Sequence, residues 1–113
     1  MGYFDVRYDS AVATTELSAY PGDGFEPRLI ESFVSLRHKR VLEIGCGDGR
    51  LTFQYAPRAS FVLAIDPDRP SIEEALFQHH ANGQSNIEFR VGSIERLSRP
   101  GAPFDVALFS WSL

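Results

Sequence analysis

The sequence predicts an α/β fold in which a parallel sheet carries helices on both faces. Short apolar segments alternate with helical segments from residue 27 to residue 109. The apolar segments are nearly continuous runs, which is typical of strands buried on both faces of a parallel sheet. A glycine-rich turn joins the first of these strands to the next helix. In such folds ligands bind at the carboxyl ends of the strands.

The first 24 residues are weakly patterned and end in the turn signal Pro21-Gly22-Asp23-Gly24. We expect residues 1–24 to form an N-terminal arm, either mobile or carrying a short helix around residues 11–19. The domain itself is predicted to span residues 25–113.

The pattern becomes regular from Pro27, which suits the first turn of a helix that continues to about His38. The basic cluster at residues 37–40 is interpreted as the polar end of that helix. The elements predicted after it are a strand over 41–44, a helix over 50–56, a strand over 61–65, a helix from about Asp68 to Ala81 with Gly83 as its stop, a strand over 87–91 and a fourth strand over 104–109.

Composition narrows the function classes. The net charge is −4 and the pI is about 5.3, which argues against a protein that binds nucleic acid by neutralising phosphates. A single cysteine, Cys46, excludes an intramolecular disulfide and a cysteine metal cage. No apolar run reaches the roughly 20 residues of a membrane span, and the N-terminus lacks the pattern of a signal peptide. We therefore expect a cytoplasmic protein without a bound metal or a membrane partner.

The most informative segment is the glycine loop, Gly45-Cys46-Gly47-Asp48-Gly49, which leaves a predicted strand and enters a helix. Glycine tolerates positive φ and lets a ligand approach the backbone. A dinucleotide site would have glycine or alanine at the sixth position, where this chain has Arg50. A nucleotide-dependent oxidoreductase is therefore disfavoured.

A carboxylate partner strengthens the interpretation of the loop. Asp66 ends the next predicted strand, 21 residues after Gly45, and a carboxylate there can accept hydrogen bonds from both hydroxyls of a ribose. The ligand predicted from these residues is a nucleoside derivative rather than a cluster of phosphates.

Three segments carry a resemblance to a known family. The segment Val41–Gly49 resembles the first motif of class I S-adenosylmethionine-dependent methyltransferases almost residue for residue, Ala64–Asp68 resembles the second, and Phe104–Phe109 resembles the fourth-strand motif. The resemblance covers residues 41–113 and implies a Rossmann-like parallel sheet. A complete domain of this family has seven strands, so the chain is expected to be truncated after the fourth strand.

The resemblance also implies which residues bind S-adenosylmethionine. At the methionine end, Glu43 would help to orient the amino-acid group, Gly49 would permit close approach, and the backbones of Gly45, Cys46 and Gly47 would line the ligand.

At the nucleoside end, Asp66 would bind the ribose, Pro67 would lie against the adenine and Ile94 would flank the ring. Ser93 stands where the family often has aspartate, so it would accept from the adenine amino group through a neutral and weaker hydrogen bond.

The remaining candidate residues have structural interpretations. Cys46 has no histidine near it in sequence and is not expected to act as a nucleophile. The adjacent His79 and His80 point to different faces of a helix and are interpreted as helix-end residues favoured by the dipole. Trp111 could contact substrate or lie in the core. No catalytic residue is identified.

Function is therefore expected to be methyl transfer to a small-molecule or lipid-like acceptor, with the chain supplying the cofactor-binding part and lacking turnover by itself. The alternative is a non-catalytic module that binds S-adenosylmethionine or a partner protein. Because nothing follows Leu113 to pair with the fourth strand, its edge is predicted to be exposed and to cause self-association.

Overall fold

The computed structural model describes residues 6–16, 35–96 and 103–111, which contain five strands and two α-helices. The strands are β1 (Val6–Glu16), β2 (Arg40–Ile44), β3 (Phe61–Asp66), β4 (Ile87–Val91) and β5 (Phe104–Trp111), and the helices are α1 (Arg50–Tyr55) and α2 (Arg69–Asn82). Short 3₁₀ turns cover Ala56–Arg58 and Ile94–Arg96.

The five strands form one sheet in the order β1-β5-β2-β3-β4, and every pairing is parallel. At the centre, Leu42 of β2 is in register with Leu63 of β3 on one side and with Ala107 of β5 on the other. The predicted α/β, Rossmann-like parallel sheet is confirmed. The chain order reverses between β5 and β2, and this places the predicted ligand site at the carboxyl end of β2.

Both faces of the sheet are buried, as a parallel sheet requires. On the face covered by the helices, Val41 and Val62 pack with Leu51 of α1 and Ile72 of α2. The opposite face forms a second apolar cluster, made of Leu42, Leu63, Ile65 and Phe104. Alternate residues of β2 and of β3 therefore enter different clusters, and this fixes the register of these two strands.

The N-terminal segment differs from the prediction. Val6–Glu16 is a strand, so the short helix considered around residues 11–19 is wrong for residues 11–16. This strand pairs in parallel with β5, from Val6 opposite Phe104 to Glu16 opposite Trp111. The exposed edge predicted for the fourth strand is therefore wrong as well, and self-association through that edge loses its basis. The physical reason is that the unpaired N–H and C=O groups of β5 are satisfied by the chain's own N-terminal segment.

The helix predicted from Pro27 to about His38 is wrong at its C-terminal end. Residues 27–34 lie outside the described residues, but Ser35–Lys39 is a non-helical connection with a turn at Arg37-His38. His38 has a φ of 62°, and its N–H donates to the carbonyl of Arg58 at 2.8 Å. Arg40 is already the first residue of β2, so the basic cluster belongs to a turn and a strand.

The helix boundaries predicted from capping residues are confirmed. Asp68 precedes α2, and its carboxylate accepts from the N–H of Ser71 at 3.1 Å. Gly83 ends the helix in the left-handed conformation, with φ of 71°. Helix α1 ends at Tyr55 and passes into the 3₁₀ turn that contains Pro57.

Arg40 makes contacts that stabilise the amino-terminal end of the sheet. Its backbone N–H donates to the Asp105 carboxylate at 2.9 Å, and its Nε donates to the carbonyl of Pro103 at 3.1 Å. The guanidinium lies 5.1 Å from the ring centre of Phe61 and 5.5 Å from that of Phe104. These contacts join β2, β3 and β5 at the end opposite the glycine loop.

Pairing of β1 with β5 can be tested by removing residues 1–16. The shortened chain should self-associate, because β5 would then present an unpaired edge flanked by buried apolar residues such as Val106 and Leu108. Light scattering over a concentration series should show a higher mass for the shortened chain than for the full chain. Equal masses at every concentration would contradict the pairing.

Candidate functional site

Three strands bring their carboxyl ends together at the predicted site. The N–H groups of Gly45 and Cys46, which follow β2, both donate to the carbonyl of Ile65 in β3, at 2.8 and 3.1 Å. The N–H of Gly92, which follows β4, donates to the carbonyl of Asp66 at 3.0 Å. The predicted loop, the predicted carboxylate and the predicted adenine segment are therefore neighbours.

The glycine loop depends on backbone angles that other residues rarely adopt. Gly45, Gly47 and Gly49 have φ angles of 83°, 59° and 86°. At Gly49 a Cβ would lie 3.0 Å from both the Phe53 and the Phe89 ring, whereas at Gly47 it would meet nothing within 4 Å. Gly49 thus serves helix–strand packing, and Gly47 leaves open space where a ligand could approach.

The carboxylate of Asp66 is held by two backbone amides. Gly47 donates to Oδ2 at 2.9 Å, and Asp68 donates to Oδ1 at 2.8 Å. Each oxygen therefore has one fixed partner, and each retains a lone pair for a further donor. This arrangement suits recognition of the two neighbouring hydroxyls of a ribose.

The loop differs from a phosphate cradle, because four of its five amides already have partners. The N–H groups of Gly45 and Cys46 bond to Ile65, that of Gly47 to Asp66, and that of Gly49 to the carbonyl of Cys46 at 3.0 Å. Phosphate sites at helix N-termini use free N–H groups. The geometry therefore favours a neutral nucleoside at the carboxylate over a pyrophosphate at the loop.

The other residues predicted to contact the adenine follow β3 and β4. Pro67 is exposed directly after Asp66, and Ser93 and Ile94 are half-buried after β4. Since Asp66 is in register with Val91, both segments emerge at the same edge of the sheet. The adenine contacts of these residues stay predictions.

Glu43, which the resemblance implies would help to orient the ligand's amino-acid group, lies inside the fold, and that role stays a prediction. Its side chain is 0% exposed. Oε1 accepts from the hydroxyls of Thr52 at 2.6 Å and Tyr55 at 2.7 Å, and Oε2 accepts from the hydroxyl of Ser110. The carboxylate lies in the core because three hydroxyls, two from α1 and one from β5, meet it there.

Burial also sets the protonation of this region. Desolvation raises the pKa of Glu43, although the hydrogen bonds from Ser110, Thr52 and Tyr55 oppose it. Burial, followed by the Glu43 and Asp66 carboxylates, raises the pKa of the Cys46 thiol. The thiol is therefore neutral and buried, in agreement with the interpretation of Cys46 as a loop residue rather than a nucleophile.

The three hydroxyl residues around Glu43 were not predicted from the sequence. Thr52 and Tyr55 are three residues apart on α1 and thus share one face. That face is buried, so two polar side chains at this spacing were a signal of a buried acceptor opposite them. Ser110 offered no such signal, because it is joined to Glu43 only through the pairing of β2 with β5.

His79 serves the fold, as expected for a helix-end residue. Its Nε2 is hydrogen-bonded to the carbonyl of Gln84, and its ring meets the edge of Phe89 with centres 5.6 Å apart. On the same helix, Leu76 is 45% exposed, whereas Ile72 is buried. No group of metal-ligating side chains occurs among the described residues.

A groove of about 230 Å³ lies between α1 and α2, lined by Asp48, Arg50, Phe53, Glu74 and Gln78. None of these residues belongs to the set predicted to bind the cofactor. Asp66 and Ser93, which do, lie outside it. The groove therefore borders the glycine loop at Asp48 without including any residue predicted to bind the cofactor.

Comparison with known proteins agrees with this geometry. A family profile described as a methyltransferase domain matches residues 41–113. The chain belongs to this family, and the class predicted from its motifs, the S-adenosylmethionine-dependent methyltransferases, is confirmed. The cofactor of the family is S-adenosylmethionine.

The region matched by individual relatives is a large share of this chain but a smaller share of each relative. The chain is 38% identical over 88 residues to a ubiquinone biosynthesis O-methyltransferase of Methylocella silvestris, covering 78% of this chain and 32% of that protein. It spans about a third of the length of the curated relatives it matches.

Two solved structures share the fold at appreciable identity. A dimethyladenosine transferase from Plasmodium falciparum is 31% identical with a TM-score of 0.66, covering 76% of this chain and 31% of its own. A phosphoethanolamine N-methyltransferase from Haemonchus contortus, solved with phosphoethanolamine and S-adenosylhomocysteine, is 27% identical with a TM-score of 0.62, covering 72% of this chain and 17% of its own.

In the part of the chain that is described, no helix is long and apolar enough to cross a membrane.

The two glycine environments predict different stability losses. Gly49→Ala should lower the free energy of unfolding by about 2–4 kcal/mol, because strain at positive φ adds to the clash with Phe53 and Phe89. Gly47→Ala should lower it by only about 1–2 kcal/mol, since only the backbone strain applies there. Urea unfolding measures both, and equal losses would contradict the assigned packing role of Gly49.

The raised pKa of Glu43 predicts a pH dependence of stability. The folded state holds this proton more tightly than the unfolded state, whose value is near 4.5. The stabilisation from the bound proton is complete below that pH and is lost as the pH rises through the folded pKa. Relative to Glu43→Gln, the wild-type chain should therefore become less stable as the pH rises above 4.5. Urea unfolding of both proteins gives this difference, and a difference that grows in favour of wild type with rising pH would contradict it.

Proposed function

We propose that this chain is the cofactor-binding part of a methyltransferase that transfers the methyl group of S-adenosylmethionine to a small-molecule or lipid-like acceptor. The observation that carries the proposal is the Asp66 carboxylate, fixed by the amides of Gly47 and Asp68 beside a loop in which the amides of Gly45, Cys46 and Gly49 are also bonded within the fold. This site recognises a ribose without offering a place for a pyrophosphate.

The residues present fit the cofactor. Gly47 borders open space, and Asp66 keeps acceptor capacity next to it. In the proposed complex, Asp66 accepts from the ribose hydroxyls, while the backbones of Gly45, Cys46 and Gly47 line the methionine part. Pro67 and Ile94 flank the adenine, and Ser93 accepts from its amino group.

When bound, S-adenosylmethionine supplies a methyl group that its sulfonium already activates. The work of the chain is therefore positioning. The internal hydrogen bonds of the loop fix the backbone before any ligand arrives, so little freedom remains to be lost on binding. Asp66 holds the ribose, which sets where the rest of the ligand lies relative to the strand ends.

The acceptor class is inferred from charge and from relatives. A net charge of −4 disfavours a polyanionic acceptor such as nucleic acid. Relatives named as a ubiquinone biosynthesis O-methyltransferase and a phosphoethanolamine N-methyltransferase support a small or lipid-like acceptor, whereas the name of the dimethyladenosine transferase favours an acceptor that contains adenosine. The proposal retains the cytoplasmic location expected from the sequence.

Isothermal titration tests the ligand. The chain should bind S-adenosylhomocysteine and should not bind NAD. Asp66→Ala should weaken S-adenosylhomocysteine binding at least tenfold, because each hydrogen bond to the carboxylate is worth about 1.5–3 kcal/mol and about 1.4 kcal/mol is a factor of ten. Asp66→Asn should also weaken binding, since an amide has a single oxygen for the two N–H donors of Gly47 and Asp68.

The matched control is Asp48→Asn, which makes the same charge change at an exposed position of the same loop and should leave the affinity unchanged. NAD binding without a response to S-adenosylhomocysteine would refute the proposal. Unchanged affinity in both Asp66 variants would show that ribose recognition lies elsewhere. A radiolabelled methyl-transfer assay separates an active enzyme from the non-catalytic binding module considered as the alternative.

A further inference from the structure

The buried carboxylate of Glu43 joins three elements of the fold. Its Oε1 accepts from Thr52 at 2.6 Å and from Tyr55 at 2.7 Å, both on α1, and its Oε2 accepts from Ser110 on β5. All four side chains are 0% exposed. One oxygen therefore serves the helix that follows the glycine loop, and the other serves the neighbouring strand.

Stability alone is a weak reason for this arrangement. Removing a carboxylate from water is costly, and well-packed apolar residues often replace buried charged groups without loss of stability. The raised pKa of Glu43 shows that its three hydroxyl partners do not fully offset burial. What the carboxylate adds over apolar packing is direction, because each hydrogen bond fixes a distance and an angle.

The residues joined by these hydrogen bonds lie on both sides of the glycine loop in the sequence. Glu43 lies two residues before Gly45, and Thr52 lies three residues after Gly49, which caps α1. The loop therefore leaves β2 and enters α1 between two groups that are bonded to each other. Ser110 extends the same link to the carboxyl end of β5.

We infer that Glu43 is a positioning residue, which sets the glycine loop in register with the end of β5 through Thr52, Tyr55 and Ser110. The inference rests on the proposed function, because the loop and the end of β5 are the parts expected to border the methyl donor. Glu43 would act through its bonds to α1 and β5, because its side chain is fully buried among them.

The test uses variants that remove a single hydroxyl and keep shape. Thr52→Val removes one donor to Oε1, Ser110→Ala removes the donor to Oε2, and Thr52→Ser keeps the hydroxyl of Thr52. Ile87→Val is the matched control, because it reduces packing in the same buried cluster without touching the network. Two quantities are measured in each: the affinity for S-adenosylhomocysteine and the amide resonances of the loop glycines.

Thr52→Val and Ser110→Ala should each lower the affinity at least fivefold and shift the resonances of Gly45, Gly47 and Gly49. Thr52→Ser should restore both quantities to wild-type values. Ile87→Val should lower the thermal midpoint but leave affinity and glycine resonances unchanged. If a variant does not fold, Tyr55→Phe provides a further loss of one donor to Oε1.

One outcome would overturn the inference, and another would separate it from the proposed function. If Thr52→Val and Ser110→Ala lose stability while affinity and glycine resonances stay at wild-type values, the network is only structural and the inference is wrong. If the wild-type chain does not bind S-adenosylhomocysteine but the glycine resonances shift in both variants and return in Thr52→Ser, the proposed function fails and the positioning role is supported.

Discussion

The hydrogen bonds that join the glycine loop to β3 are the constraint on which the site depends. The carbonyl of Ile65 receives two loop amides, and the carboxylate of Asp66 receives a third. A loop with three residues at positive φ would otherwise be a weakly held segment. Here it is tied to the strand that also supplies the Asp66 carboxylate, so the loop and the carboxylate are held as one unit.

The same loop is supported from below by a group that is unfavourable in isolation. Glu43 is fully buried, and three hydroxyls satisfy it. A satisfied polar network in a core limits the chain to one arrangement, whereas apolar packing tolerates several. The loop itself is thus bonded to β3, and the residue two positions before it, Glu43, is bonded to side chains of α1 and β5.

The sequence predicted the elements whose signals are local. Strands β2 to β5, the cap at Asp68 and the stop at Gly83 follow from apolar runs and capping chemistry, and the positions of Gly47 and Asp66 follow from their motifs. What it could not predict depends on pairing between distant segments. The strand Val6–Glu16 has little pattern of its own and is defined by the edge of β5, and Ser110 reaches Glu43 only because β2 and β5 are adjacent. Burial of Glu43 was hidden for the same reason.

The two ends of the sheet have different chemical characters. At the amino-terminal end, Arg40 is enclosed by two aromatic rings and by bonds to Pro103 and Asp105, and nothing predicted to bind a ligand lies there. At the other end, the Asp66 carboxylate keeps acceptor capacity beside the glycine loop. The contacts that stabilise the sheet around Arg40 and the residues predicted to bind a ligand therefore lie at opposite ends of the sheet. The trade-off between stabilising a protein and preserving its activity is weakest at the Arg40 end, which makes that end the place to attach a probe, tether the chain to a surface or add stabilising substitutions.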